Sequence, residues 1–290
     1  MLKIKVMEVR EKELIKEALE RYVAIKGSQN KAGNALVGIS PATVSQILNN
    51  KWELIKDEMW RNLAAQLNLK NKTWNIVETK NFKELMEIFT DAQDNSLVMA
   101  VTGEAGCGKT VAAREYQAEN DNVFVLCCNE YWNRKLFMQE LLREMGKNPA
   151  GDTVGEMMND IVTTLKRMEC PLIIMDEADK LSDQVFYFFI TLYNKLEDHC
   201  GIIMMATDFL EKKVNRGLRL NKKGYKEIYS RIGRRFIALE PISVQDITEV
   251  CIANGLTAKE DIKELVKGSE NDLRRVRRKV FSINKKNSKQ

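Results

Sequence analysis

Residues Gly103-Glu104-Ala105-Gly106-Cys107-Gly108-Lys109-Thr110 set glycines, a lysine and a hydroxyl at the spacing G-x-x-x-x-G-K-[ST]. That spacing suits the capture of phosphates. The glycines at 103, 106 and 108 let the backbone turn with positive φ and present successive N–H groups to phosphate oxygens, and a helix N-terminus behind them adds partial positive charge. Lys109 would reach the β- and γ-phosphates of ATP and Thr110 a magnesium ion, while Gly103, Glu104, Ala105, Gly106, Cys107, Gly108 and Val111 line the cradle. Further along, the apolar run Leu172-Ile173-Ile174-Met175 ends in Asp176-Glu177. Asp176 would join Thr110 on the magnesium, and Glu177 would orient and deprotonate an attacking water. Both roles fit phosphoryl transfer, where catalysis is mostly positioning and charge neutralisation.

These groups can meet only if strands deliver them to one edge of a sheet. Apolar, partly β-branched runs occur at 97–102, 123–128, 172–175, 202–206 and 236–239, with helical stretches between most of them. The pattern predicts an α/β core over 81–240, a five-stranded parallel sheet with helices on both faces. Asn81 is expected to cap the helix that enters this core. After Pro241, Ser243 with Asp246, Thr257 with Glu260 and Ser269 with Asp272 each repeat a cap plus an acid three residues on, which predicts three short helices, a small lid over 241–290.

Residues 1–70 read as a separate helical module, joined by a polar linker at 71–80. Ser40 as N-cap and Pro41 at the first helical position predict a helix to Leu48 with Val44, Ile47 and Leu48 inward. Helix, Gly38 turn and helix is the helix-turn-helix plan, and G-I-S-P-A-T-V-S-Q-I-L-N-N-K-W resembles the recognition half of phage repressor domains. Ala42, Thr43, Gln46 and Asn49 would then project outward, with Gln46 able to read adenine and Lys51 placed for a phosphate. Counting back from Gly38, the small residue wanted at the helix crossing falls on Asn34, so the second helix is offset or packed differently. A nonspecific clamp or a partner-docking bundle remains open.

Composition is that of an ordinary globular chain, 44% apolar and 30% charged. No segment approaches a membrane span and the charged N-terminus is no signal peptide, so a cytoplasmic protein is expected. Cys107, Cys127, Cys128, Cys170, Cys200 and Cys251 form no C-x-x-C pair, which predicts free buried thiols. His199 is the sole histidine, which excludes histidine catalysis and ordinary zinc sites. The net charge of +5 hides segregation: 12 basic against 8 acidic residues in 1–70, 11 against 21 in 81–206, and 21 against 11 in 207–290. The two ends, not the middle, would face a polyanion.

The layout of P-loop, Asp-Glu, two further strands and helical lid is that of AAA+ ATPases. Together with the N-terminal module, A-A-R-E-Y behind the P-loop, I-I-M-D-E-A-D-K-L and S-R-I-G-R-R, residues 28–280 resemble the transposition protein B family of phage Mu. The resemblance implies an ATP-dependent DNA-binding ATPase that self-associates into a helical filament or ring on double-stranded DNA, delivers target DNA and stimulates a transposase. It places Thr207 at sensor 1, where a strand-end hydroxyl capping a turn is the alternative. It places Arg231 as an arginine finger, with Arg234 and Arg235 as rivals, and Arg274 at sensor 2 amid Arg275, Arg277 and Arg278; a solvated or phosphate-facing charge is the alternative for each. A helicase loader, or a transcription regulator switched by ATP, would share much of this layout.

In a ring or filament of such domains, Lys212, Lys213, Arg216, Arg219, Lys222 and Lys223 would form a loop-like basic segment around Gly217 and Gly224, facing DNA in the central channel. The basic tail from Arg274 to Lys289 is a second candidate.

Overall fold

In a computed structural model, residues 9–53, 55–67, 74–149 and 153–287 are described. Residues 71–73 of the expected linker and the last residues of the basic tail, Lys289 among them, lie outside that set. Two compact units divide the chain: Met1–Trp74 with Gln139–Asp152, and Asn75–Met138 with Thr153–Gln290.

The first unit contains four helices, α1 (Val9–Lys26), α2 (Gln29–Ala35), α3 (Pro41–Leu48) and α4 (Asp57–Gln66). The Ser40 hydroxyl accepts from the Thr43 N–H and Pro41 opens α3 as the sequence predicts, since proline lacks only an N–H that has no helical partner there. Val44 and Ile47 are fully buried with Leu19, Trp60 and Leu63, each aliphatic side chain contributing roughly 1.5–3 kcal/mol. The chain turns into α3 through Gly38 at φ +72°. The crossing of α2 and α3 is made by Gly33, where a Cβ would lie 2.6 Å from the Pro41 nitrogen. The small residue is therefore one position before Asn34, and α2 is offset by that amount.

The second unit begins with an extended stretch and α5 (Lys80–Asp94). It continues through β1 (Val98–Thr102), α6 (Lys109–Glu119), β2 (Val123–Cys127), α7 (Arg134–Glu144, whose end belongs to the first unit), α8 (Val154–Leu165) and β3 (Leu172–Asp176). A single 3-10 turn, Ala178–Lys180, precedes α9 (Asp183–Leu196), β4 (Gly201–Ala206), α10 (Phe209–Arg219), α11 (Tyr225–Arg231) and β5 (Phe236–Ala238). Last come α12 (Val244–Ala253), α13 (Lys259–Lys267) and α14 (Leu273–Asn287). All strand pairs are parallel, in the order β2-β3-β4-β1-β5. Because alternate strand residues face opposite sides, the complete burial of β3 and β4 means that both sheet faces are covered there.

Several local expectations are corrected. Thr79, not Asn81, caps α5, its hydroxyl accepting from the Phe82 N–H; Asn81 is buried and donates to the Glu240 carbonyl at 2.8 Å. Of the three capping boxes only Ser243/Asp246 forms. Ala258 occupies the N-cap of α13. Ser269 donates to the Val266 carbonyl, and Asp272 itself accepts from the Arg274 N–H at the start of α14. A box that the sequence reading missed, Thr153/Glu156, opens α8. Of the segment expected to be a basic loop, Lys212, Lys213, Arg216 and Arg219 are helical, on α10, with Gly217 buried where a Cβ would strike the Tyr225 ring at 2.2 Å, while Lys222, Lys223 and Gly224 lie in the turn before α11. Cys127 and Cys170 are exposed, while the other four thiols are buried. No helix among the described residues is long and apolar enough to cross a membrane.

Candidate functional site

The phosphate loop joins β1 to α6 at the carboxyl edge of the sheet. Gly106 and Gly108 adopt φ +81° and +100°, Gly108 as the N-cap of α6. Gly103 does not have a positive φ. Its need for glycine is space, since a Cβ there would lie 3.0 Å from Cys107 Sγ and 3.1 Å from Leu239. Glu104 and Ala105 are exposed, Cys107 is buried and Val111 is 43% exposed beside the loop. No side chain caps α6, so its first N–H groups are available to an anion. Lys109 is nearly buried, its Nζ donating to the carbonyls of Gly103 at 2.7 Å and Glu104 at 3.0 Å, with Cys107 Sγ at 3.4 Å.

The neighbouring strand supplies the acids. Asp176, the last residue of β3, is buried, and the Thr110 hydroxyl donates to its Oδ2 at 2.5 Å. The sequence spacing had paired these two residues on a magnesium ion, and the fold brings them together. They offer hard oxygen donors beside a phosphate cradle, the donor set that suits magnesium, which is commonly held by one or two carboxylates plus phosphate oxygens and water. Among the described residues no group of three His, Cys, Asp or Glu is placed to hold a metal ion.

Glu177 stands at φ +55° between β3 and the 3-10 turn, and its N–H donates to Asp176 Oδ1 at 2.9 Å. Its Oε2 accepts from Lys180 Nζ at 2.6 Å and from the Cys127 thiol at 3.7 Å. The Lys180 ammonium holds the Glu177 carboxyl below its usual range, with Cys127 and the charge of Arg274 acting in the same direction. Burial, followed by the charges of Glu177 and Asp176, pushes the Cys127 thiol up, so it is a protonated donor here.

Arg274 is exposed on the first turn of α14. That turn packs on the phosphate loop: the Leu273 N–H donates to the Gly106 carbonyl at 3.1 Å, and a Cβ on Gly106 would lie 1.9 Å from Asp272 Oδ1. The sequence reading missed Asp272 as a loop neighbour, because only the fold brings it there. Thr207 follows β4 half-buried, its carbonyl accepting from the Leu210 N–H. Arg231 ends α11 and is turned toward α9. It donates to the Glu227 carbonyl at 3.1 Å and to Asn194 Oδ1 at 2.7 Å, and it lies over the Tyr193 ring. Arg234, at φ +56°, and Arg235 are exposed in the turn before β5.

The basic residues of α10 and α11 divide by direction. Arg216 and Arg219 are exposed, Lys212 is exposed and paired with Asp208, and Lys223 lies over the Tyr187 ring. Lys222 pairs with Asp183 at 2.7 Å. Lys213 points inward: its Nζ donates to the carbonyls of Asp179, at 2.9 Å, and Leu181. In the first unit Lys51 is exposed. Thr43 and Gln46 are half-buried rather than fully outward, lining a cleft of about 490 Å³ with Gly38, Ile55, Met59 and Asn62. The Thr43 hydroxyl shares a hydrogen bond with Ser40 at 2.9 Å.

An AAA domain model matches residues 92–214, a span that holds the phosphate loop and both acids. The ATP-dependent target DNA activator B of Escherichia phage Mu is 25% identical over 235 residues, covering 79% of this chain and 73% of that protein. The Mu-like prophage FluMu DNA transposition protein B of Haemophilus influenzae is 22% identical over 232 residues, covering 77% and 79%. Among solved structures, a chain of Drosophila ORC bound to DNA aligns with TM-score 0.45 and 16% identity over 68% of this chain, which spans about half of that one (52%). Residues 92–214 are thus similar to AAA domains, and the chain is similar to the target DNA activator B of phage Mu and to transposition protein B of a Mu-like prophage.

Proposed function

We propose that this protein is a magnesium-dependent ATPase that assembles on duplex DNA in the ATP-bound state and presents that DNA to a transposase. The observation that carries the ATPase reading is the convergence of Lys109, Thr110, Asp176 and Glu177 at one sheet edge, with Thr110 and Asp176 in direct hydrogen bond. Bound with magnesium, ATP would supply the γ-phosphoryl group and the negative charge that the site is built to neutralise. Lys109 would leave the carbonyls of Gly103 and Glu104 for phosphate oxygens, and Thr110 and Asp176 would hold the cation. Glu177, kept ionised beside Lys180, would take a proton from water once a carboxylate oxygen turns free of that lysine.

The DNA half of the proposal draws on the relatives, a target DNA activator and a DNA transposition protein, and on the exposed Lys212, Arg216, Arg219 and Lys223. Single phosphate contacts are weak, and a filament or ring would multiply them through effective concentration. In this reading α2 and α3 form a helix-turn-helix and Thr43, Gln46 and Lys51 lie toward DNA. The helices after Pro241 act as the lid, Thr207 and Arg274 sense the nucleotide, and an arginine of the Arg231, Arg234, Arg235 group reaches the neighbouring subunit. Work on cellular DNA would place the protein in the cytoplasm.

Footprinting tests it. ATP-bound protein should protect duplexes of unrelated sequence in a continuous, spreading pattern that disappears without nucleotide; one short fixed site would instead indicate an operator-reading regulator, and preference for single strands a helicase loader.

A further inference from the structure

Lys213 was expected among the DNA-facing lysines, yet it is half-buried on the flank of α10 that borders the buried Leu210, Val214 and Gly217, and its ammonium is turned inward. Its ammonium donates to the Asp179 carbonyl at 2.9 Å and to the Leu181 carbonyl, and lies 5.0 Å from the centroid of the Phe186 ring. Those carbonyls belong to the 3-10 turn Ala178–Lys180 and to the residue that closes it. So short a turn satisfies few of its own groups; its backbone bonds are Lys180 N–H to Glu177 and Leu181 N–H to Ala178, and the later carbonyls need partners from elsewhere. Glu177 stands at the head of this turn in the left-handed region, at φ +55° and ψ +37°. A non-glycine residue stays there only when its surroundings hold it. Burial pushes the Lys213 pKa down while Asp183 and Asp179 oppose the shift, as expected of a cation drawn into the structure and held by acceptors rather than displayed to solvent.

We propose that Lys213 is a positioning residue for Glu177: by fastening the 178–181 turn from α10 it fixes where the glutamate stands, and it makes no contact with DNA. The role rests on the reading of Glu177 as the base of ATP hydrolysis. It also divides the cations of α10 between two tasks, exposed arginines turned to solvent and a half-buried Lys213 that braces the turn after Glu177.

The test uses the full chain. Lys213→Met keeps the apolar stem over Phe186 and removes the donors. It should lower kcat for ATP roughly 10- to 100-fold, the scale of a misplacement of about 1 Å. The KM for ATP should stay within about twofold, and the slope of log affinity for random duplex against log salt should be unchanged. Lys213→Arg, which can donate to both carbonyls, should restore kcat to within about threefold of the parent. Parental kcat in Lys213→Met, or a salt slope shallower by about one, the signature of a lost phosphate contact, overturns the proposal. If Lys213→Met does not fold, Lys213→Gln, a shorter neutral donor, takes its place. A loss of kcat of about fivefold or more at parental KM and slope then supports the role, and parental kcat overturns it. Glu177→Gln run alongside separates the two readings. Parental hydrolysis by that variant removes the base assignment, whereas an inactive Glu177→Gln beside a fully active Lys213→Met removes only the positioning role.

Discussion

The phosphate loop and the α10–α11 segment are both dense in residues with an obvious chemistry, and they differ in how far that chemistry could be placed. In the loop, spacing along the chain sets position in space, because a strand, a glycine turn and a helix start leave one route for the backbone. Lys109 opens α6 with its ammonium folded against the loop, and Thr110 beside it meets Asp176. In the α10–α11 segment the six candidate residues are all cations but differ in direction: Arg216 and Arg219 face solvent, Lys222 is paired with Asp183, and Lys213 is turned into the structure. A motif carries its own geometry. Charge content carries none, and helix phase decides which side chain meets a ligand.

The sharpest way to break this contrast is at the loop side. Glu177→Gln should retain nucleotide, since Lys109, Thr110 and Asp176 remain, but lose about 10²- to 10⁴-fold in kcat; its DNA complexes should outlive those of the parent. Hydrolysis at the parental rate would make Glu177 a strand-end acid. Lys109→Ala should weaken ATP binding about 30-fold, the loss of roughly 2 kcal/mol of charge-assisted hydrogen bonding, and should abolish nucleotide-dependent assembly followed by light scattering. Gly106→Ala tests the geometry itself. The new methyl would meet the Asp272 carboxyl in a backbone at φ +81°, so denaturant unfolding should show a loss of about 1–3 kcal/mol. An alanine variant as stable as the parent would mean that the packing of α14 on the loop is soft.

On the other side, the double substitution Arg216→Ala with Arg219→Ala should lower affinity for all duplexes alike and make the salt slope shallower by about two. Lys222→Ala should change it by less than one, because that ammonium is already engaged by Asp183. Equal effects from all of these positions would return α10–α11 to an undirected basic patch. The smallest effect expected is at Asp183. The hydrogen bond from Lys222, then that from Tyr225, lowers its pKa below the ordinary 3.8. A carboxylate with a depressed folded pKa contributes stability that is present above the unfolded value and is lost as pH falls through the folded one. The Tm gap between the parent and Asp183→Asn should therefore be constant near neutrality and close below about pH 4. A gap that persists into stronger acid would show that Asp183 acts through shape and not through charge.

Parts of the fold followed directly from the chain. The five apolar runs became five parallel strands within a residue or two of their expected ends, because runs buried on both faces leave little freedom in where a strand stops. Pro41 and Ser40 marked the start of α3 by local chemistry alone. Where the reading failed, the deciding partner was distant in sequence. Asn81 is held by the Glu240 carbonyl, Gly103 answers to Leu239 and Gly106 to Asp272. The helix crossing fell on Gly33 because Pro41 approaches there, a fact that no periodicity within α2 contains.

The sequence by itself determined the chemistry on offer: a glycine-rich spacing suited to phosphates, a hydroxyl and a carboxylate of the kind that suit magnesium, a second carboxylate beside them, and basic ends around an acidic middle. These are fixed by residue type and by short-range geometry, in which each bond links groups a few positions apart or on a strand with one possible outlet. Only the tertiary structure decided which groups are free to act. It turned Lys213 inward, set the Cys127 thiol against Glu177 and laid the start of α14 on the loop. Each of those is a contact between elements, settled by how helices pack on the sheet, and packing is a property of the whole chain that no local spacing specifies.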